Sequence, residues 1–211
     1  MRYSIDIVTQ PKGQPISLAN AKAYLRVTNN LEDELIDSLI GQAANHVELY
    51  LRRSLITRDI KLTLDSLPMK NSSNQWWDGV QQGAIGQLSQ VADTIILPYP
   101  PIVSVTSITS YSSADASSVL DTSNYFLDAS GSRICLKQGG LWPVDLRSKK
   151  AMEIIYKAGY GSVPSDIPQG IQGAVRAMVS FLYQNRDCLE IPESIENMLK
   201  PYRIIDSIAY N

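Results

Sequence analysis

The sequence predicts an α+β protein: a helical core from N-terminal and C-terminal helices, with an antiparallel β-rich domain inserted between them. Two observations carry this. Near both ends apolar residues recur at three- and four-residue spacing, as along one face of a helix, whereas in the middle they alternate at a period of two, as on one face of a sheet. The parts divide as 1–56, the N-terminal helical part of the core, 57–160, the β-rich insertion, and 161–211, the C-terminal helices and tail. The 211 residues suit one large domain with an insertion, since an average domain runs to ~150.

After a short extended start, Ser17 stands where a helix cap belongs, ahead of Leu18, Ala21, Ala23 and Leu25, which places a helix near 17–26. Asn30 is expected to cap a longer one. In it Leu31, Leu35, Ile36, Leu39, Ile40, Ala43, Val47, Tyr50 and Leu51 form one buried stripe. Glu32, Asp33, Glu34 and Asp37 crowd its first turns and Arg52 and Arg53 its last, which complements the helix dipole.

From Thr57 the pattern changes, with Ile60, Leu62 and Leu64 alternating with polar residues. Strands are expected at Thr57–Leu67, Thr94–Leu97, Ile102–Tyr111, Tyr125–Asp128, Ser132–Lys137 and Met152–Lys157. Ala129-Ser130-Gly131 is the tight connection of one hairpin. Pro98, Pro100 and Pro101 belong at an edge or turn, because proline has no N–H to give. Six strands are enough for a small sandwich or open barrel.

The segment 68–93 reads as a long loop rich in Gln, Ser, Asn and Gly, with Trp76-Trp77 in its midst. Loops above ~12–15 residues are uncommon in compact domains unless they bind something, so it is a contact element or an undetected hairpin. Indoles are costly to leave wet, so Trp76 and Trp77 either fold back on the sheet or anchor a protein interface. Pro164, Asp166 and Pro168 announce the return to helix. Ile171, Ala174, Val175, Met178, Val179 and Leu182 then form a second stripe ending near Arg186. Pro192 opens a short helix through Leu199, Pro201 closes it, and the tail from Tyr202 to Tyr210 stays apolar.

Composition excludes several classes. A hydrophobic fraction of 44% with 19% charge is that of a folded globular chain. Nineteen basic against twenty-one acidic residues, a net charge of −2, lack the cationic footprint of sequence-specific DNA binding. No apolar run approaches the ~20 residues of a membrane span, and the first residues lack a signal peptide's apolar stretch, so the chain is expected to remain in the cytoplasm. Cys135 and Cys188 with one histidine cannot assemble a four-ligand zinc site, so reduced structural thiols and no metal are expected.

No catalytic or cofactor-binding residue is assigned. Gly159-Tyr160-Gly161 follows a strand and precedes a helix, but Pro164 occupies the place of the third glycine of a dinucleotide loop, and a turn leaving the strand is the favoured reading. Any nucleophile–base pair would have to use His46, which the long helix's stripe would hold by packing instead. Asp121, Asp128, Asp145 and Glu153 read as turn formers or solvated strand residues. Arg147, Lys149 and Lys150, with Arg133 and Lys137, read as a solvated basic loop.

Several segments, in order, resemble the head-tail connector family of long-tailed bacteriophages, the adaptor or head-completion proteins. They are Ile16-Ser17-Leu18-Ala19-Asn20-Ala21-Lys22-Ala23-Tyr24-Leu25-Arg26-Val27, Glu32-Asp33-Glu34-Leu35-Ile36 running to Val47-Glu48-Leu49-Tyr50, and Leu97-Pro98-Tyr99-Pro100-Pro101-Ile102-Val103-Ser104-Val105. Leu141-Trp142-Pro143, Ile155-Tyr156-Lys157-Ala158-Gly159-Tyr160-Gly161, Ile167-Pro168, the Ala174-to-Arg186 helix and Leu199-Lys200-Pro201-Tyr202-Arg203 complete the series.

The resemblance implies a structural virion protein without enzyme activity or cofactor, assembled in the host cytoplasm and residing in the neck. It implies a ring, usually of twelve copies, that docks under the portal protein after packaging and offers a platform to the next neck or tail protein. The helical part would build the ring. DNA would pass through without sequence-specific binding, and no membrane is involved. The C-terminal segment would reach the portal, through Tyr202, Arg203, Ile204, Ile205, Ile208 and Tyr210. Two other readings remain at this stage: a neck or tail-completion protein that never touches the portal, and a small hydrolase built on His46.

Overall fold

The computed structural model describes residues 3–68, 92–185 and 191–204. The chain is mixed α and β, with four α-helices and two antiparallel sheets among these residues. Strand β1 (Tyr3–Ile7) precedes helices α1 (Leu18–Leu25) and α2 (Asp33–Leu51). Strands β2 (Arg58–Leu64), β3 (Thr94–Ile96), β4 (Ile102–Tyr111), β5 (Ser117–Val119), β6 (Tyr125–Asp128), β7 (Arg133–Leu136) and β8 (Met152–Ala158) follow. A 3₁₀ turn (Pro164–Asp166), α3 (Gln169–Gln184), α4 (Glu193–Leu199) and a second 3₁₀ turn (Lys200–Tyr202) close the described chain.

Ser17 caps α1 as expected, its Oγ accepting the Asn20 N–H at 3.2 Å. Asn30 does not cap α2. Its side chain accepts from Lys22 Nζ at 2.8 Å, Asn29 accepts the Leu31 N–H, and the helix begins later, with Glu32 as a cap residue that makes no side-chain cap bond. Leu31 therefore lies ahead of the helix and is 92% exposed, while Leu35, about 100° round the axis from the buried Ile36, is also exposed. The buried stripe is Ile36, Leu39, Ile40, Ala43, Val47 and Leu51. Arg52 ends α2 in the left-handed region with φ 55°, so Arg52 and Arg53 follow the last turn instead of lying in it.

The six expected strands are all present, three of them trimmed at their ends, two as expected and the last extended by one residue to Ala158. Two more occur where none was read. Residues 3–7, inside the stretch 1–56 assigned to the helical core, form β1 and pair with β2 from Tyr3↔Leu64 to Ile7↔Ile60. Ser117–Val119 pairs with the end of β4. Both are short edge strands: β5 is exposed throughout and carries no alternation, whereas in β1 Tyr3, Ile5 and Ile7 do alternate with Ser4 and Asp6, but over only five residues of which Ile5 alone is half-buried.

The five-stranded sheet runs β1-β2-β8-β4-β5, and the three-stranded sheet β3-β7-β6. Ile60, Leu62 and Leu64 of β2 stand opposite Tyr156, Ile154 and Met152 of β8, all buried. The residues between them face away, and Lys157 pairs there with Asp59 at 3.4 Å. One dry and one wet face explain the period-two pattern. Ile95, Ile134 and Tyr125 bury one face of the smaller sheet, and the Trp142 indole N–H donates to the Ala92 carbonyl at 2.9 Å. These residues join Ile108, Ile102 and Leu97 in one hydrophobic cluster, while a second unites Ile16, Ala21, the α2 stripe, Leu55, Ile167, Ile195, Leu199 and the α3 stripe. All six apolar residues expected on α3 are buried.

The hairpin at Ala129-Ser130-Gly131 is held by Asp128. Its carboxylate accepts from Ser130 Oγ at 2.7 Å, the Gly131 N–H at 3.0 Å and Arg133 Nε at 2.9 Å. These bonds, the Ser130 hydroxyl's foremost, lower its pKa from 3.8 to about 2. A depressed carboxylate adds stability that is complete above its unfolded value and is lost as pH falls through the folded one. Asp128→Asn should therefore flatten the dependence of unfolding midpoint on pH between 3.8 and about 2, measured by circular dichroism. Gly159 has φ +138°, and a Cβ there would lie 2.5 Å from the Thr57 backbone. Gly159→Ala should cost more than ~2 kcal/mol in urea denaturation, because strain and overlap act together.

Candidate functional site

The helical and sheet clusters meet where two chain segments cross, and this crossing orients every surface the protein can offer. The first segment leaves α2, whose last turn presents Glu48. The Glu48 carboxylate accepts the Leu55 N–H at 2.7 Å through Oε1 and Arg58 Nη2 at 2.5 Å through Oε2. Arg58 opens β2, and its Nε also donates to Ser54 Oγ at 2.8 Å. Both charged side chains are nearly buried, at 13% and 9% exposure. The second segment leaves β8 through Gly159 and lies alongside the first. Thr57 N–H donates to the Gly161 carbonyl, Tyr160 N–H to Leu55, and Gly159 N–H to Pro101. The Gly159-Tyr160-Gly161 turn therefore serves close backbone approach: at Gly161 the space a Cβ would fill is taken by the Asp166 carboxylate.

The tail is anchored at the same end of α2. Arg53 Nε donates to the Tyr202 carbonyl at 2.7 Å, Ile204 N–H to the Leu51 carbonyl at 3.2 Å, and the Arg203 guanidinium lies 4.8 Å from the Tyr50 ring centre. The Tyr202 ring lies where a Cβ on Gly170 would be, so that glycine makes room for it. Of the six residues assigned to a portal contact, Tyr202 and Ile204 are half-buried and Arg203 is exposed. Ile205, Ile208 and Tyr210 lie outside the described residues, as do Trp76 and Trp77. The structure thus brings three of the named residues together, and shows that they also hold the helical cluster closed.

Several of the candidate chemical residues are engaged in structural contacts. Asp121 accepts the Ser123 N–H at 2.7 Å, a turn bond that lowers its pKa. Glu153 accepts from the Tyr111 hydroxyl, whose pKa is raised first by partial burial and then by that negative charge. Much of the basic loop is tied down: Arg147 stacks 4.0 Å from the Tyr111 ring centre and pairs with Asp115, Arg133 pairs with Asp128, and Lys137 donates to the Thr122 carbonyl. His46 is half-buried on α2 and makes no hydrogen bond to a nucleophile or carboxylate among the described residues. An open cleft lined by Pro11, Lys12, Gly13, Gln14, Ser17 and Pro164 holds Lys12 as its one titratable side chain. Among the described residues there is no grouping of His, Cys, Asp and Glu that could hold a metal, and no helix long and apolar enough to cross a membrane.

Nothing in the sequence marked Glu48 and Arg58 in advance. Each reads as an ordinary polar position, and only their nearness to the helix-to-strand break hints at a pairing.

The chain belongs to the head completion protein family, whose model matches residues 14–190. Similar solved structures include a chain in the neck of an empty GTA particle with C6 symmetry, at 19% identity and a TM-score of 0.74. Another lies in the neck of a native GTA particle with C12 symmetry, at 19% and 0.72, and a third in the virion of a native gene transfer agent particle, at 18% and 0.71. In each case the likeness covers 97% of both chains. No curated protein matches the sequence.

Removing one partner of a buried ion pair leaves an uncompensated charge, at a cost of ~3–5 kcal/mol. Arg58→Met and Glu48→Gln should each destabilise the fold to that order. The double variant should lose less than the sum of the two, as a double-mutant cycle by chemical denaturation would show.

Proposed function

We propose that this protein is a structural component of the head–tail neck that forms a ring beneath the portal protein and presents the platform on which the next neck or tail protein assembles. The single observation that carries the reading is the family match across residues 14–190, joined to a shared fold with chains from particle necks of six- and twelve-fold symmetry. Helices α1 to α4 supply the helical, ring-building part in this reading, and the two sheets, β1 included, the β-rich part. The protein is a virion constituent and not an enzyme.

The physics supports such a role. A cyclic ring needs a heterologous interface, in which one patch of each subunit meets a different patch of the next. Each portal contact can then be weak, because linked copies act at high effective concentration once the first has bound. A net charge of −2 gives packaged DNA no strong electrostatic hold on the ring.

The tail test follows from where the chain is anchored. Cutting after Pro201 would remove the Tyr202 ring and the Ile204–Leu51 bond together with any portal contact, whereas ending the chain after Ile204 keeps both. A chain ending at Ile204 should fold with an unchanged unfolding midpoint yet fail to join purified portal in native mass spectrometry. Normal joining would remove Ile205, Ile208 and Tyr210 from the tail assignment, and a full-length chain that never joins portal would favour the tail-completion reading. His46→Gln should leave assembly and infectivity unchanged, and a loss of activity in a hydrolase assay would revive the catalytic alternative.

A further inference from the structure

Helix α2 turns one side inward and leaves the other without a partner. Opposite the buried stripe, at about 100° per residue, stand Ser38, Gly41, Gln42, Asn45 and Leu49, all exposed. Leu49 is 59% exposed, and Leu31, in the turn that leads into the helix, is 92% exposed. From Ser38 to Val47 the helix contains no Asp, Glu, Lys or Arg. A solvated helix face normally carries the charges of the segment. Depletion of charge with apolar residues left in the open is instead the composition of an interface core.

Gly41 sharpens the point. Glycine in a helix interior is about 1 kcal/mol less favourable than alanine, and a Cβ at Gly41 would meet nothing within 4 Å. Packing among the described residues therefore gives no reason for it. A neighbour that approaches the helix backbone closely would.

A second uncharged patch lies on α1, where Ala19, Asn20, Ala23 and Tyr24 are exposed. Its small residues and single aromatic ring suit a shallow notch such as the one Gly41 leaves. We infer that the outer face of α2 on one copy of this chain receives the outer face of α1 on the next copy. This rests on the ring reading above and names the surfaces that close it.

A second copy fits better than other occupants on charge. Identical subunits that each carry −2 repel one another, so the contact between them is best free of charge. Nucleic acid would require cations that neither face has. Two faces of different composition on one subunit also meet the requirement for a heterologous contact. From Ser38 to Leu49 the uncharged face is ~17 Å long at 1.5 Å per residue, with Glu34 exposed beyond its N-terminal edge, and Ser38, Gln42 and Asn45 offer hydrogen bonds that do not depend on the sign of charge.

The test uses the full chain with purified portal, followed by native mass spectrometry and thermal unfolding. Gly41→Lys and Ala23→Glu should each reduce ring formation at least tenfold, with the unfolding midpoint of Gly41→Lys at or above that of the unaltered protein. The double variant should recover rings, because the new lysine of one copy meets the new glutamate of the next. Rings undiminished in both single variants would overturn the inference, and single losses without recovery would overturn the pairing of α2 with α1. An unaltered chain that forms no ring, alone or with portal, would overturn the ring reading itself and is distinguishable from both.

Discussion

The Glu48–Arg58 ion pair is the constraint on which the rest of the structure depends. A carboxylate and a guanidinium removed from water are tolerable only when both are paired and their remaining hydrogen-bonding capacity is used. Here Glu48 also accepts the Leu55 N–H and Arg58 also donates to Ser54. The pair therefore ties the last turn of α2, the connecting segment and the first residue of β2 into one unit. Because the return segment through Gly159 and Gly161 hydrogen-bonds to the same connection, the chain crosses between its helical and sheet clusters twice side by side.

That double crossing has a functional consequence. In a ring, an angular error at each subunit recurs at every interface and prevents closure, so subunits must hold their faces at a defined angle. The tail anchor adds to the rigidity, since Ile204 bonds to Leu51 at the end of the α2 stripe and Tyr202 to Arg53 just after it. The point from which the C-terminal residues depart is thus set by the same helix whose outer face is free to meet a neighbour. In the ring proposed above, assembly surface and interior stability would share one element, α2.

Much of the architecture was legible because hydrophobic periodicity reports directly on burial. The α3 stripe and the alternation in β2 and β8 were readable for this reason. Where burial is absent the signal fails. β5 lies at a sheet edge, exposed and without alternation, β1 alternates over only five residues at the other edge, and Leu31 is apolar yet exposed, so it entered the α2 stripe on paper and left it in space. The cap expected at Asn30 failed for a different reason: the side chain had a competing partner, Lys22, which local pattern does not reveal.

The sequence alone determined the element types, the two apolar stripes, the glycine turn leaving β8 and the absence of any strong cationic footprint, since each of these depends on neighbours within a few residues. Which polar groups pair across the fold was decided only by the tertiary structure. Glu48 and Arg58 are ten positions apart, Arg53 and Tyr202 are 149 apart, and a charged side chain reads alike in one dimension whether it will be solvated or buried. The same holds for the outer face of α2: its residues are ordinary in a list, and their lack of charge becomes informative only once the helix shows which side faces out.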